Sequence, residues 1–284
     1  MHQQMGKLYV VATPIGNLDD ISNRANKILS QVAWIAAEDT RHSSGLLQHL
    51  GIGTSLISYH EHNEQSRTRM LIEKLCQGES GALISDAGTP LISDPGYMLV
   101  AAAHEAKIPV IPIPGPCAFV AALSVAGLPT DKFSFEGFLP AKSQGRRKQL
   151  ESLVDFPHTM IFYEAPHRLA ALLEDCAEIF GLNRQATIVR ELTKKFESVY
   201  KSDFQHLIAG LASGDIPQKG EFVLIVAGNT MEKHSMGEEE EEMRRVLAVL
   251  LPEISLKQAV QITVKLTGFA KNAVYDVAMK MKEE

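Results

Sequence analysis

From residue 7 to about residue 114 the chain alternates short apolar runs rich in β-formers with stretches where apolar residues recur at helical spacing. That alternation predicts a mainly parallel sheet covered by helices. Residues 8–12, 32–37, 55–59, 82–85 and 109–113 are the expected strands. Ile21, Ala25, Ile28 and Leu29 mark one helix behind the capping residues Asp19 and Asp20; Met70, Leu71 and Leu75 mark another that begins near Asn63. Pro112, Pro114, Gly115 and Pro116 interrupt the pattern, and a small-residue helix from Cys117 to Ala126 stops at Gly127. A second α/β unit follows, with strands expected at 133–138, 159–163, 186–190 and 222–227 and helices near 145–154, 166–180 and 203–213. After Gly228 the chain turns polar and acidic, then resumes apolar periods at Val246, Leu247, Val249 and Leu250 and in two further helices, 255–266 and 271–281, joined at Thr267-Gly268-Phe269. The expected organisation is α/β: one domain over residues 1–114, a second over 115–229, an acidic linker at 230–242 and a helical tail at 243–284. The tail admits a helix-turn-helix reading, and since helical hairpins often only pack, nucleic-acid contact and plain packing both stay open.

The strand expected at 82–85 empties into Ser85-Asp86-Ala87-Gly88-Thr89-Pro90-Leu91-Ile92-Ser93-Asp94-Pro95-Gly96. Small residues, two prolines and two carboxylates at the carboxyl edge of a sheet suit a ligand held by main-chain groups. Neither G-x-G-x-x-G nor G-x-x-x-x-G-K-[ST] occurs, so the two common nucleotide cradles are absent.

Composition narrows the field. The longest apolar stretches, such as 118–125, are far short of a membrane span and no signal segment opens the chain, so a cytoplasmic protein is expected. Cys76, Cys117 and Cys176 are too few and too scattered for a disulfide framework or a C-x-x-C metal site. A net charge of −6 argues against a protein that coats nucleic acid non-specifically, although the run Glu238 to Glu242, readable as linker or helix start, supplies most of it. His60-Glu61-His62-Asn63-Glu64 lacks helical H-E-x-x-H spacing and a third ligand, so no metal is expected and Asn63 reads as a helix cap. Trp34 and the aromatics of 133–138 read as core.

Three segments together resemble the tetrapyrrole methylase family of S-adenosylmethionine-dependent enzymes: Leu8-Tyr9-Val10-Val11-Ala12-Thr13-Pro14-Ile15-Gly16-Asn17-Leu18, the loop from Ser85 to Gly96, and Ile113-Pro114-Gly115-Pro116-Cys117-Ala118. The stretches Ala37-Glu38-Asp39-Thr40-Arg41-His42, Phe135-Glu136-Gly137-Phe138-Leu139-Pro140-Ala141-Lys142, Phe162-Tyr163-Glu164 and Arg190-Glu191-Leu192-Thr193-Lys194 are similar to the branch of that family that methylates small-subunit ribosomal RNA. The resemblance runs over residues 7–284. It implies a homodimer of two-domain subunits with the methyl donor in the cleft between the domains, and a 2′-O-methylated cytidine in the decoding region of 16S ribosomal RNA as product. Carried over by position, the donor site falls on Pro14, Ala87, Gly88, Thr89, Ile92, Cys117, Ala118, Tyr163, Glu164 and Leu192, with Asp86 either bonding the donor or bracing its own turn. Two loops depart from the corrin and sirohaem enzymes: Thr-Pro-Ile-Gly-Asn stands for a glycine-rich Gly-Pro-Gly-Asp, and Ala-Gly-Thr-Pro for Gly-Gly-Asp-Pro. A small tetrapyrrole acceptor and a non-catalytic nucleic-acid-binding role are the alternatives.

Methyl transfer to a ribose hydroxyl calls for a base or hydrogen-bond acceptor, and Glu38 and Asp39 beside Arg41 are offered for it, with helix capping by Asp39 or Thr40 as the competing role. Asp94 presents the same choice between a ligand contact and a turn. Lys142, Arg146, Arg147, Lys148, Lys194 and Lys195 are the candidate phosphate contacts, each equally readable as part of a solvated face. Tyr163 is assigned to the donor, with stacking on a flipped cytosine as its second possibility.

Overall fold

A computed structural model describes residues 5–229 and 236–283. Up to Gly228 the chain forms one compact unit, and the residues from Asn229 onward form another.

The first sheet comprises β1 (Leu8–Val11), β2 (Trp34–Ala37), β3 (Ser55–Ser58), β4 (Gly81–Ile84) and β5 (Val110–Ile113), in the order β3-β2-β4-β1-β5. Every pairing is parallel. Helices α1 (Asn23–Gln31), α2 (Thr40–His49), α3 (Glu64–Cys76) and α4 (Tyr97–Glu105) make the crossovers. Buried on both faces, the strands alternate between two cores: Val11, Ile35, Ala37, Ala82 and Ile84 face Ala25, Leu29 and Leu47, while Leu8, Trp34, Ala36 and Leu83 face Leu71, Leu75, Leu99 and Ala103. The Trp34 indole lies against Gly81, where a Cβ would fall inside the ring. This contact lets adjacent strands close around the one tryptophan of the chain.

The second sheet orders β6 (Phe133–Phe138), β7 (Thr159–Glu164), β10 (Phe222–Val226), β8 (Gln185–Arg190) and β9 (Ser198–Asp203) side by side. Only β6 and β7 pair in parallel; the rest are antiparallel. Helices α6 (Ser143–Glu151), α7 (Leu169–Phe180) and α8 (Phe204–Ser213) cover one face around Leu150, Phe162, Leu173 and Phe204. The other face, with Ile161, Val189, Val223 and Ile225, receives α5 (Ala118–Val125) through Ala122 and Leu123. The chain leaves the first sheet after Ile113 and enters the second at Phe133, and both sheets lie within the one compact unit that ends at Gly228.

Several expectations need correction. Ser22, not Asp19 or Asp20, caps α1 by accepting from the Ala25 amide at 3.0 Å, and the two aspartates lie in a short 3₁₀ turn. Asn63 stands at the start of α3 but turns its side chain back to accept from the His60 amide at 2.9 Å. Strand β9 and helix α4 were not expected. The acidic run Glu238 to Glu242 lies within helix α9 (Met236–Leu250), so the linker expected at 230–242 gives way to helix from Met236.

Within the second compact unit, α9, α10 (Leu256–Thr267) and α11 (Lys271–Glu283) enclose a core of Met243, Leu247, Ala259, Val260, Val274, Val277 and Ala278. A reciprocal Ser255–Gln258 capping box starts α10, and Gly268 at φ 74° ends it. No helix among the described residues is long and apolar enough to cross a membrane.

Candidate functional site

Strands β4, β1 and β5 are neighbours, so the loops that leave their carboxyl ends meet at one edge. These are the loop after Ile84, the loop after Val11 and the Pro-Gly turn after Ile113. Thr13 and Gly88 exchange backbone hydrogen bonds of 2.9 and 3.1 Å, and Thr89 donates its hydroxyl to the Pro116 carbonyl at 3.0 Å. Three sequence-distant segments are thereby locked together. Facing them is the rim of the second sheet where β6, β7 and β8 end and β10 begins, Phe222 pairing with both Glu164 and Arg190.

Between the two rims lies a cavity of about 390 Å³, within the range of small-molecule sites. Ile15, Ala87, Gly88, Thr89, Ile92, Ser93, Asp94, Cys117 and Ala118 line one side, and Phe138, Tyr163, Glu164, Ala165, Pro166, Val189, Leu192, Glu221, Phe222 and Val223 the other. Among these lining residues none is Lys or Arg. Such a wall is unsuited to a phosphate and suited to a neutral or cationic ligand rich in donors. Gly88, at φ 81°, holds its loop in a conformation that disfavours a side chain, and an added Cβ would lie 3.3 Å from Ile15 Cγ2. Leu91 and Ser93 in the same loop, and Glu191 and Thr193 opposite, also have positive φ. For the β-branched Thr193 this is a true outlier, and strain of this kind gathers at binding sites.

The polar groups divide by task. Tyr163 accepts the Phe119 amide on its hydroxyl at 3.0 Å, so it braces the start of α5 while its ring faces the cavity. The Glu164 side chain is fully buried. Its Oε1 accepts from the Ala165 amide at 2.8 Å and lies 3.0 Å from Arg168 Nε, but Oε2 has no hydrogen-bond partner. A buried carboxylate oxygen left unbonded beside a cavity is a strong acceptor waiting for a donor. Burial first, then the nearby charge of Asp86, pushes the Asp94 carboxyl up to about 6.

The positions expected to hold the donor thus come together at this cavity, apart from two. Pro14 is buried next to the lining Ile15, and Asp86 accepts the Asp39 amide at 3.0 Å, tying two loops together outside the lining. The carboxylates offered as base are not at the cavity. Asp39 caps α2 and forms a bidentate pair with Arg41 (2.8 and 3.1 Å), which draws its carboxyl down to about 2. Burial, followed by repulsion from Asp86 and Asp94, raises that of Glu38. Sequence reasoning passed over Val189, Glu221 and Phe138, the last assigned to the core but 58% exposed here.

The cations also separate. Arg146 is a correction: 5% exposed, it donates to Asp175 at 2.6 Å and is unavailable to a phosphate. Arg147 is shared between Asp175 and Glu178, and Lys194 joins Glu191 and Glu221 at 3.0 and 2.9 Å. Lys142, Lys148 and Lys195 remain exposed.

Comparison with known proteins agrees with this architecture. Residues 7–208 match the model of the Tetrapyrrole (Corrin/Porphyrin) Methylases and residues 237–282 that of the RsmI C-terminal HTH domain. The chain is 52% identical, over 97% of both sequences, to a protein of Pseudomonas aeruginosa named ribosomal RNA small subunit methyltransferase I. It is 47% identical to the protein of that name in Escherichia coli O157:H7, covering 98% of this chain and 96% of the relative. Among solved structures, uroporphyrin-III C-methyl transferase from Thermus thermophilus complexed with S-adenyl homocysteine shares the fold at TM-score 0.54 and 15% identity, covering 78% of this chain and 97% of that one. Diphthine synthase does so at 0.60 and 13%, covering 79% and 91%. With its paired sheets, looped cavity and full-length relatives, the chain belongs to the tetrapyrrole (corrin/porphyrin) methylase family, on the branch whose members carry the RsmI C-terminal helical domain.

Proposed function

We propose that the protein is an S-adenosylmethionine-dependent methyltransferase that modifies the ribose 2′-oxygen of a cytidine in the decoding region of 16S ribosomal RNA. The observation that carries the reading is the cavity itself, walled by loops without Lys or Arg and lined in part by Glu164, whose buried Oε2 has no hydrogen-bond partner. The residues fit the donor: Glu164 and Glu221 would offer carboxylates to its amines and hydroxyls, and the apolar surfaces of Ile15, Ile92, Leu192 and Val223 would pack its uncharged parts. When bound, S-adenosylmethionine supplies an electrophilic methyl group on a sulfonium whose leaving form is a neutral thioether, so no general acid is required.

The chain then contributes position and a proton acceptor. The pinned loops at Gly88 and Thr89 hold the reacting partners in register, a role that can supply roughly 7 to 11 kcal/mol. The Asp94 carboxylate takes the hydrogen bond, and as charge develops the proton, of the incoming hydroxyl, worth about 10²- to 10⁴-fold in rate. Asp94 replaces Glu38 and Asp39 in this role because it lines the cavity. Arg41 pairs with Asp39 at 90% exposure, Glu38 bears on the site through its charge, and Lys142, Lys148 and Lys195 steer the polyanion. Exposed Val120 and Val125 on α5, with Phe133 against Phe119, suit the expected homodimer, and the ribosomal acceptor implies a cytoplasmic enzyme. Incubation with methyl-labelled donor and unmodified small subunits, with tetrapyrrole precursors as competitors, tests the reading. It predicts label on a ribose of the RNA, and absence of such label, or transfer to the tetrapyrrole, refutes it.

A further inference from the structure

Strand β6 carries one residue more than its partner. Phe135 pairs with Ile161 and Phe138 with Tyr163, so Glu136 and Gly137 together oppose Phe162. In an uninterrupted strand residues 135 and 138 would point to opposite faces; the bulge returns Phe138 to the face that Phe135 occupies. That is the face on which Phe135 packs against Tyr163, ring centroids 4.9 Å apart. Phe138 meets the same ring edge-on at 5.5 Å, yet unlike Phe135 it is 58% exposed at the lip of the cavity. A one-residue irregularity therefore spends a large apolar side chain on solvent.

The surroundings hold it there. Gly137 needs its positive φ of 64° for the bulge, and a Cβ on it would stand 3.5 Å from Ser93 Oγ, which puts the strand end against the Ser93–Asp94 turn. On the other side the Leu139 side chain is buried and its carbonyl accepts from Arg168 Nη2 at 2.6 Å. The exposed Lys142 follows on the same loop. A fixed aromatic face and a carboxylate at one lip, with the exposed Lys142 further along the chain, match the base, sugar and phosphate of a nucleotide.

We propose that Phe138 is the stacking platform for the base of the acceptor nucleotide, placed so that its ribose reaches Asp94. This rests on the reading of the protein as an RNA methyltransferase. The test measures affinity for an unmodified small-subunit RNA fragment and for the same fragment made abasic at the methylated position, using wild type, Phe138→Ala and Phe138→Trp. Calorimetric titration with S-adenosylmethionine checks the cavity in each variant. Phe138→Ala should weaken the intact fragment roughly 5- to 150-fold, the range of base–aromatic stacking, while Phe138→Trp restores it, both measured with the donor at saturation as fixed by the calorimetry. On the abasic fragment wild type and Phe138→Ala should bind alike, because the coupled partner is gone. An equal loss on both fragments at saturating donor, or no loss on either, overturns the assignment. Wild type that methylates the fragment normally in that case leaves the parent reading standing, whereas wild type that neither binds nor methylates it overturns both.

Discussion

Replacing Asp94 by asparagine should make the protein more stable and less active at once. Burial and the neighbouring Asp86 charge hold its carboxyl at about 6, against 3.8 for a free aspartate. At ~1.4 kcal/mol per pH unit the difference amounts to ~3 kcal/mol against the ionised folded form, and partial access to solvent lowers it to ~1–3 kcal/mol. Between pH 3.8 and about 6 the folded chain keeps a proton that the unfolded chain has released, so this group makes wild-type stability fall as pH rises through that window. Asparagine has no charge to desolvate. Asp94→Asn should therefore outlast wild type by ~1–3 kcal/mol near pH 8 and match it near pH 3.5. Urea unfolding of ligand-free protein, followed by the fluorescence of Trp34 in the same compact unit, measures both. Methyl transfer should fall about 10²- to 10⁴-fold, and wild-type activity should rise with pH up to about 6 and then level. A stability gain of the same size at both pH values, or none at pH 8, would refute the assignment of a desolvated, ionised carboxylate at this position.

Other consequences concern packing and RNA contact. Asp175→Ala strands the buried Arg146 guanidinium and should cost about 3–5 kcal/mol in urea unfolding, whereas Glu178→Ala, which faces solvent at 63%, should change stability by ~0–1 kcal/mol. Gly81→Ala drives a methyl into the Trp34 ring and should destabilise by ~3 kcal/mol, with a shifted Trp34 emission spectrum. Lys142→Ala should reduce the slope of log affinity for RNA against log salt by about 1, and a slope equal to wild type would remove Lys142 from the RNA surface.

What the sequence disclosed and withheld follows from the range of the forces involved. Strands β1, β2 and β4 were legible because burial on both faces leaves short apolar runs bounded by loop residues. Edge strand β9 was not, since Ser198, Lys201, Ser202 and Asp203 give it the polarity of a loop. Helix α4, Tyr97-Met98-Leu99-Val100-Ala101-Ala102-Ala103-His104-Glu105, is mostly small and apolar, so helical spacing does not stand out. At the site, the loop residues Ala87, Gly88 and Thr89 were found through motifs that adjacent strands bring together. Phe138 was assigned to the core because alternation along a strand gives no sign of a bulge. Arg146 was taken for a free cation because its carboxylate partner is 29 positions away. For Asp39 the capping alternative, which follows from a local rule, is the one the structure shows, while the base role offered beside it is not met at the cavity.

The central claim is that the cavity between the two sheets holds the methyl donor, through loops whose backbone path depends on Gly88. Calorimetric titration of S-adenosylmethionine into ligand-free wild type and into Gly88→Val tests it. Saturable binding at one site per chain, lost in Gly88→Val while the folded state persists by circular dichroism, is the predicted result. No saturable heat with wild type, or equal affinity in the valine variant, would contradict the account.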